Sequence, residues 1–559
     1  MAMAGVAVAC VGALSIPAAG TEAAERVGDP TAGSASLSAD AATVVFTTAA
    51  GVHAVDRPGG SVERVDVSDS GAPANGEPTR DAAGPVSSAD GGIVAFSSHA
   101  SNLVAGDTNG VADAFVRDRR AGLTVRVSVG RGGIEPRCAL GVTCNGSVVG
   151  DISADGRFVA FTSDLGDLVD GDANGLDDVF VHDRQTGATE LISVSAHGIA
   201  GDLDSRAPAI SADGRFVAFS SNATNLVAGA PTCVGRNLYV RDRATATTTT
   251  AIPGRCADVR GGVAMSADGR RVAFASPASD LVDGDHNGAV DVFVRDVAAG
   301  RTVLVSRAAD ATPGDGDSGH GEPALSPDGR YVAFASRATN LVDGDRNGAL
   351  DVFVHDLDGS RTVRTSLAPG GRERSGGASV YAGALSHAGR VIAFGLAGTD
   401  AADDATFGPG VIVRAVRWDT GANGPAAGAA GTVAGHQAGE QVRSHTPPAL
   451  RGPAPPVPPI RRPGDAVAGG PPAAKGSSAR APAPQDTTFG DLPLPPPVTV
   501  TESEAALEQV ALEGDDPERW WVPYLAGSVL VLTAGALLPL VRPARVSRGG
   551  RPPKRPGRR

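Results

Sequence analysis

A Ser-x-Asp-Gly-like turn leading into an apolar strand recurs seven times along the chain. The copies are "SADAATVVF" from Ser38, "SADGGIVAF" from Ser88, "SADGRFVAF" from Ser153 and again from Ser211, "SADGRRVAF" from Ser266, "SPDGRYVAF" from Ser326 and "SHAGRVIAF" from Ser386. The closing residues Phe46, Phe96, Phe161, Phe219, Phe274, Phe334 and Phe394 are spaced by 50, 65, 58, 55, 60 and 60. That period is too long for one coil of a solenoid and fits four short strands with generous loops. Units of this size bury their apolar faces only against one another, so the repeat dictates a stacked or radial architecture.

Residues 323 to 367 serve as the type unit. "PALS" predicts a first strand, Asp328-Gly329 a hairpin turn, and "RYVAFAS" a second strand apolar on both faces. "DVFVHD" predicts a third strand, Asp358-Gly359 a second turn, and "RTVRTSL" a fourth, more polar strand at the rim. A four-stranded unit with a dry centre and a polar edge is a propeller blade, whose radial repetition leaves only short edges exposed. The fold class is therefore all-β, a β-propeller of seven four-stranded blades; the degenerate first and last copies leave six or eight as alternatives.

These units resemble the TolB-like, WD-repeat-like propeller blades, and "SPDGRYVAF" followed by "DVFVHDLDG" carries the resemblance over residues 36 to 420. The resemblance implies a partner-binding propeller and no single conserved activity.

An acidic loop joins the second and third strands: "DGDANGLDD" (170–178), "DGDHNGAVD" (283–291) and "DGDRNGALD" (343–351). Oxygen-bearing side chains stand at loop positions 1, 3, 5 and 9, namely Asp170, Asp172, Asn174 and Asp178; Asp283, Asp285, Asn287 and Asp291; and Asp343, Asp345, Asn347 and Asp351. Calcium takes six to eight oxygen ligands, and this spacing, with the position 7 carbonyl (Ala349 in the last copy), predicts a calcium site in each loop. The loops are similar to the D-x-D-x-[DN]-G-x-x-D loops of integrin α propellers. They are not EF-hands, because the twelfth position is Val354 rather than Glu. A fourth copy, "AGDTNGVAD" (105–113), keeps Asp107, Asn109 and Asp113 but has Ala105 first, which predicts weaker binding. The competing explanation is an Asx turn chosen for its geometry. It accounts for Asn-Gly and leaves three acids in nine residues unexplained.

The unit at 217 to 252 replaces the loop by "GAPTCVGRN", which brings in Cys233; Cys256 lies in the next inter-blade loop. Cys138 and Cys144 share an earlier inter-blade loop, so two disulfides, Cys233 to Cys256 and Cys138 to Cys144, are expected in an oxidising exterior. "GDSG" at 316 to 319, followed by His320, resembles a serine-protease segment. Self-alignment with "DSRAPAIS" at 204 to 211 makes Asp-Ser a repeat element instead. His182 and His355 replace Arg117, Arg241 and Arg295 of other units, and such a slot reads as a solvated strand position. No G-x-S-x-G is present to mark a fused hydrolase domain.

Residues 4 to 19 form a short apolar run ending in small residues, which predicts a signal peptide over 1–24 with cleavage near Ala19 or Ala24; a buried helix is the alternative. Residues 421–519 are rich in Pro, Ala and Gly and predict an extended disordered stalk. "WWVPYLAGSVLVLTAGALLPLV" (520–541) is an uncharged span of 22 residues, suited to one transmembrane helix. Arginines following it predict a cytoplasmic tail (542–559) and an extracytoplasmic propeller. That tail holds eight Lys or Arg and no acid, so the remainder of this chain of net charge −13 carries −21 and repels nucleic acid. Together these features predict a membrane-anchored, non-catalytic, calcium-stabilised module that binds an extracellular protein or glycan. The alternative is a propeller enzyme, hydrolase or lyase, with its site in the central channel.

Overall fold

The computed structural model describes residues 24–27 and 33–418, except 80–83, 139–143, 173, 234, 369–370, 375, 381–382 and 397–409. They form a β-propeller of seven four-stranded antiparallel sheets. Blades 1 to 7 span 35–64, 86–126, 147–191, 205–250, 260–304, 324–364 and 378–415. In blades 1 to 6 the strands lie side by side in chain order, the first innermost and in contact with the first strand of a neighbouring blade. The last blade takes its outermost strand from the other end of the chain. Ala24–Val27 pairs antiparallel with Gly410–Ala415, Ala24 opposite Arg414 and Val27 opposite Val411. The propeller therefore starts before residue 36, the boundary set from the repeats. Apart from Ala24, the predicted leader (1–24), the stalk (421–519), the apolar span (520–541) and the basic tail (542–559) lie outside the described residues. No helix among the described residues is long and apolar enough to cross a membrane.

Each second and third strand is buried on both faces because a neighbouring blade covers each face. In blade 3, Val159, Ala160, Phe161, Val179, Phe180 and Val181 are fully buried. Phe161 lies directly opposite Phe180 in the register, with ring centroids 5.5 Å apart. The same cross-strand aromatic pair recurs in blades 2, 4, 5 and 6, as Phe96–Phe115, Phe219–Tyr239, Phe274–Phe293 and Phe334–Phe353. Between blades 3 and 4, Val179, Val181 and Ile192 interleave with Ile210, Val217, Phe219 and Tyr239. The core is thus a ring of inter-blade layers rather than one central cluster.

The Ser-x-Asp-Gly segment is a longer hairpin than a two-residue turn. Ser153 donates its hydroxyl to Asp155, accepts the Phe158 amide, and takes the Gly156 amide on its carbonyl. Gly214 closes the equivalent turn of blade 4 at φ +72°, and a Cβ there would run into the Phe158 ring of blade 3. Conformation alone does not demand glycine, because Ala41 adopts φ 59° at the same step in blade 1. The close approach of the preceding blade does.

These turns also join the blades through a main-chain belt. Ala39 N–H donates to the Ala89 carbonyl, Ala89 to Ala154, Ala154 to Ala212, Ala212 to Ala267, and Ala267 to Pro327, while His387 donates to Ala39. Pro327 has no N–H, so the link from blade 6 to blade 7 is missing.

The slot expected to be solvated is buried. His182 and His355 are 5% and 1% exposed, and Arg117, Arg241 and Arg295 are equally enclosed. Each side chain meets a threonine on the outer strand: His182 with Thr189, His355 with Thr362, Arg117 with Thr124, Arg241 with Thr248 and Arg295 with Thr302. Thr124, Thr189, Thr248 and Thr362 donate in turn to carbonyls of the preceding blade, at Val67, Val129, Val194 and Arg307. The slot is a strut between blades, which His fills as well as Arg because one N–H reaches the threonine. Burial pushes both imidazoles down from 6.5 to about 4. In His355 the Nε2 is buried without a partner, so protonation would add an unpaired N–H.

Two outcomes follow. Gly214→Ala and Gly214→Asn should each cost about 2–4 kcal/mol in chemical denaturation, from overpacking plus backbone strain; rescue by Asn would mean that only the turn conformation matters. Because the folded imidazoles titrate below the unfolded value, their contribution is full above pH 6.5 and is lost as the pH falls towards 4, on the order of 3 kcal/mol per ring at most. The stability difference between wild type and His182→Asn/His355→Asn should shift against wild type between pH 7 and 5; a constant difference would refute buried neutral rings.

Candidate loop-face site

The loop between the second and third strands lies beside the inter-blade loop that follows it. In blade 3 the Asn174 amide nitrogen donates to Asp178 Oδ2 at 2.8 Å and to the Gly201 carbonyl at 2.9 Å, while its oxygen accepts the Leu176 N–H. Asn287 does the same with Asp291, Gly314 and Ala289. Asn347 does so with Asp351, Arg374 and Ala349, and Asn109 with Asp113, Pro136 and Val111. The position 5 asparagine, expected as an oxygen ligand, therefore turns its oxygen into the loop backbone and braces two loops with its nitrogen. In blade 4 a disulfide joins the same two loops: Cys233 and Cys256 are bonded, with Cα atoms 5.5 Å apart. Cys138 and Cys144 are bonded within the loop between blades 2 and 3.

The position 9 carboxylates are buried and fixed. Ser193, Ser306, Ser366 and Ser128 donate their hydroxyls to Oδ1 of Asp178, Asp291, Asp351 and Asp113. Position 3 is also buried: Asp172 is 5% exposed and Asp285 3%. Position 1 is different. Asp170, Asp283 and Asp343 are exposed, and Asp170 forms a 2.7 Å ion pair with Arg131. The fold thus brings positions 3 and 9 inward and leaves position 1 outside. Among the described residues no three His, Cys, Asp or Glu side chains converge as a metal cluster.

The loops divide into two kinds, through residues that the sequence reading passed over. In blade 6 the Arg364 guanidinium sits between the two inner acids, its Nη1 2.9 Å from Asp345, 3.3 Å from Asp351 and 3.0 Å from Glu373. Arg126 makes the same set in blade 2, with Asp107, Asp113 and Glu135 at 3.6, 3.3 and 3.0 Å. Arg126 and Arg364 face Phe115 and Phe353 across the outer strand pair. At that register blades 3 and 5 carry Leu191 and Leu304, opposite Phe180 and Phe293. The glutamates follow their arginines by nine residues; at the matching step blades 3 and 5 have Ala200 and Pro313. In the sequence, the joint appearance of an outer-strand Arg and a Glu nine residues later was the available signal.

Charge in these loops is held at a cost. Burial pushes Asp178 up to about 7, with the Asp172 charge adding to the rise. Burial also lifts Asp291, Asp345 and Asp107 to about 6 and raises Asp172 and Asp285. Against partial burial, hydrogen bonds from Thr108 and Arg126 bring Glu135 down to about 2. Two like charges about 6 Å apart repel by roughly 3 kcal/mol at an effective dielectric of 20. A cation between them reverses the sign of that interaction.

No protein-family model matches the chain, and no curated protein matches it. Solved structures similar to it include TolB from Acinetobacter baumannii, at 15% identity and TM-score 0.33, where the match covers 59% of this chain and 63% of that one. A putative TolB from Agrobacterium tumefaciens is similar at 17% identity and TM-score 0.33, over 60% of this chain and 90% of that one. An oligogalacturonate lyase in complex with manganese is similar at 14% identity and TM-score 0.34, over 54% and 72%.

Arg364→Leu should destabilise the protein by about 3–5 kcal/mol at pH 7.5, the expected cost of stripping the partner from buried charge. Adding Glu373→Ala should recover part of that loss. A cost below about 1 kcal/mol in chemical denaturation would make Arg364 an ordinary surface pair.

Proposed function

We propose that this TolB-like propeller is a non-catalytic binding module tethered outside a membrane, with its loop face stiffened by calcium and offered to a protein or glycan. The observation that carries this reading is the repeated placement of buried carboxylates on one face, Asp172 and Asp178 in blade 3 and Asp285 and Asp291 in blade 5. Calcium bound there would meet two carboxylates, and loop carbonyls would supply further hard oxygen. What it supplies is loop stiffness, by binding the folded state alone.

Other features support a binding role. The Ser318 hydroxyl of the Gly-Asp-Ser-Gly segment is buried and bonded to Ser336, a pairing repeated as Ser147–Ser163 and Ser205–Ser221. It ties the start of a first strand, or in blade 6 the segment before it, to the second strand, which is a scaffold role. Two disulfides on the loop face suit an oxidising exterior. The outward orientation rests on the apolar span at 520–541 and the basic residues after it.

With millimolar calcium the full chain should melt about 3–5 °C higher than with chelator. Protease added to intact cells should digest the propeller and spare an epitope on the C-terminal tail. Coincident melts would remove calcium from the proposal, and a digested tail would remove the orientation.

A further inference from the structure

The four loops share one plan, yet they differ in what lies between their inner acids. In blades 2 and 6 a side-chain N–H stands within 3.6 Å of both carboxylates. That point is a cation position by construction, since the Arg364 Nη1 is 2.9 and 3.3 Å from the two oxygens it faces. The same backbone plan holds Asp172 and Asp178 in blade 3, where the residue at the arginine register is Leu191. Both Asp172 oxygens are buried and meet no hydrogen-bond geometry, the Asn174 backbone N–H alone acting to favour the charged form against burial. Asp178 has partners, Ser193 and Asn174, but neither carries charge. Blade 5 repeats the placement, with Asp285 and Asp291 buried and Leu304 at the arginine register.

We propose that the point between loop positions 3 and 9 is a cation slot, filled by a built-in guanidinium in blades 2 and 6 and served by an exogenous divalent cation in blades 3 and 5. This rests on the calcium reading above and sharpens it from three equivalent loops to two. The loop at 343–351 carries the acidic motif intact and is nevertheless excluded, because Arg364 already stands in its slot. The Arg–Glu pair arrives together in blades 2 and 6, so each introduced guanidinium brings its own counter-charge and the local net charge of the loop is unchanged. The slot should accept a hard ion of moderate affinity, with dissociation constants of about 0.1–1 mM, as in extracellular calcium modules.

The test is equilibrium calcium binding to the full chain, paired with melting curves. Wild type should take up two calcium ions. Asp172→Asn, which preserves shape, should take up one. Leu191→Arg/Ala200→Glu, which transplants the built-in pair into blade 3, should also take up one and should melt in chelator at least as high as wild type. Arg364→Leu/Glu373→Ala should gain a third ion, so the inference survives even if the transplanted variant does not fold. Unchanged uptake in Asp172→Asn and in the transplanted variant, or a loss of uptake in Asp345→Asn, overturns the slot assignment while leaving the calcium-stabilised reading in place. Absence of any calcium uptake by wild type overturns both.

Discussion

Everything in this molecule depends on one geometric debt: a strand such as Phe158–Ser163 is apolar on both faces, so no blade is stable alone. Each sheet must be covered twice, and the only arrangement that covers all seven twice is a closed ring. Closure is made by pairing across nearly the whole described chain, Ala24–Val27 against Gly410–Ala415. The turn belt and the His or Arg struts then act on contacts that closure has already imposed. They set the angle and spacing of blades whose faces are held together by burial.

The blade interior was legible because it is local. An apolar run between an Asp-Gly turn and an acidic loop declares a strand whatever surrounds it, and the aromatic pair Phe334–Phe353 could be placed from period alone. The closing strand was not legible. "AERV" has no alternation, and three of its four residues are only partly buried. It is a strand because Gly410–Ala415 offers a free edge, and that edge lies almost four hundred residues away. The buried strut was misjudged for a related reason: polarity suggests solvent, but Arg117 and His182 each find a threonine one strand over and are enclosed by the preceding blade.

The loop face shows the same limit more sharply. The acids at positions 3 and 9 turn inward, and residue type alone cannot reveal that direction. Asn174 has an oxygen and a nitrogen at the same distance from its backbone, and the neighbouring Leu176 and Asp178 decide which one faces inward. Position 1 is as acidic as position 3 but points to solvent. The guanidiniums arrive from the fourth strand, which the polar pattern had marked as rim. Four loops that align almost residue for residue are therefore electrostatically two pairs, and the difference is written in residues outside the loop.

The ladder that closes the ring also has a direction. Ala24 lies opposite Arg414, so the chain comes in and goes out at the same end of a four-residue pairing. Tension applied between these two points would peel the pairs one after another, as a zip opens, instead of loading them all in shear. A tether on one side alone passes its load into Gly410–Ala415, which is also paired with Val391–Leu396, and spares the closing strand. Mechanically, this is a ring suited to hang from a single thread and poorly suited to be a link in a chain.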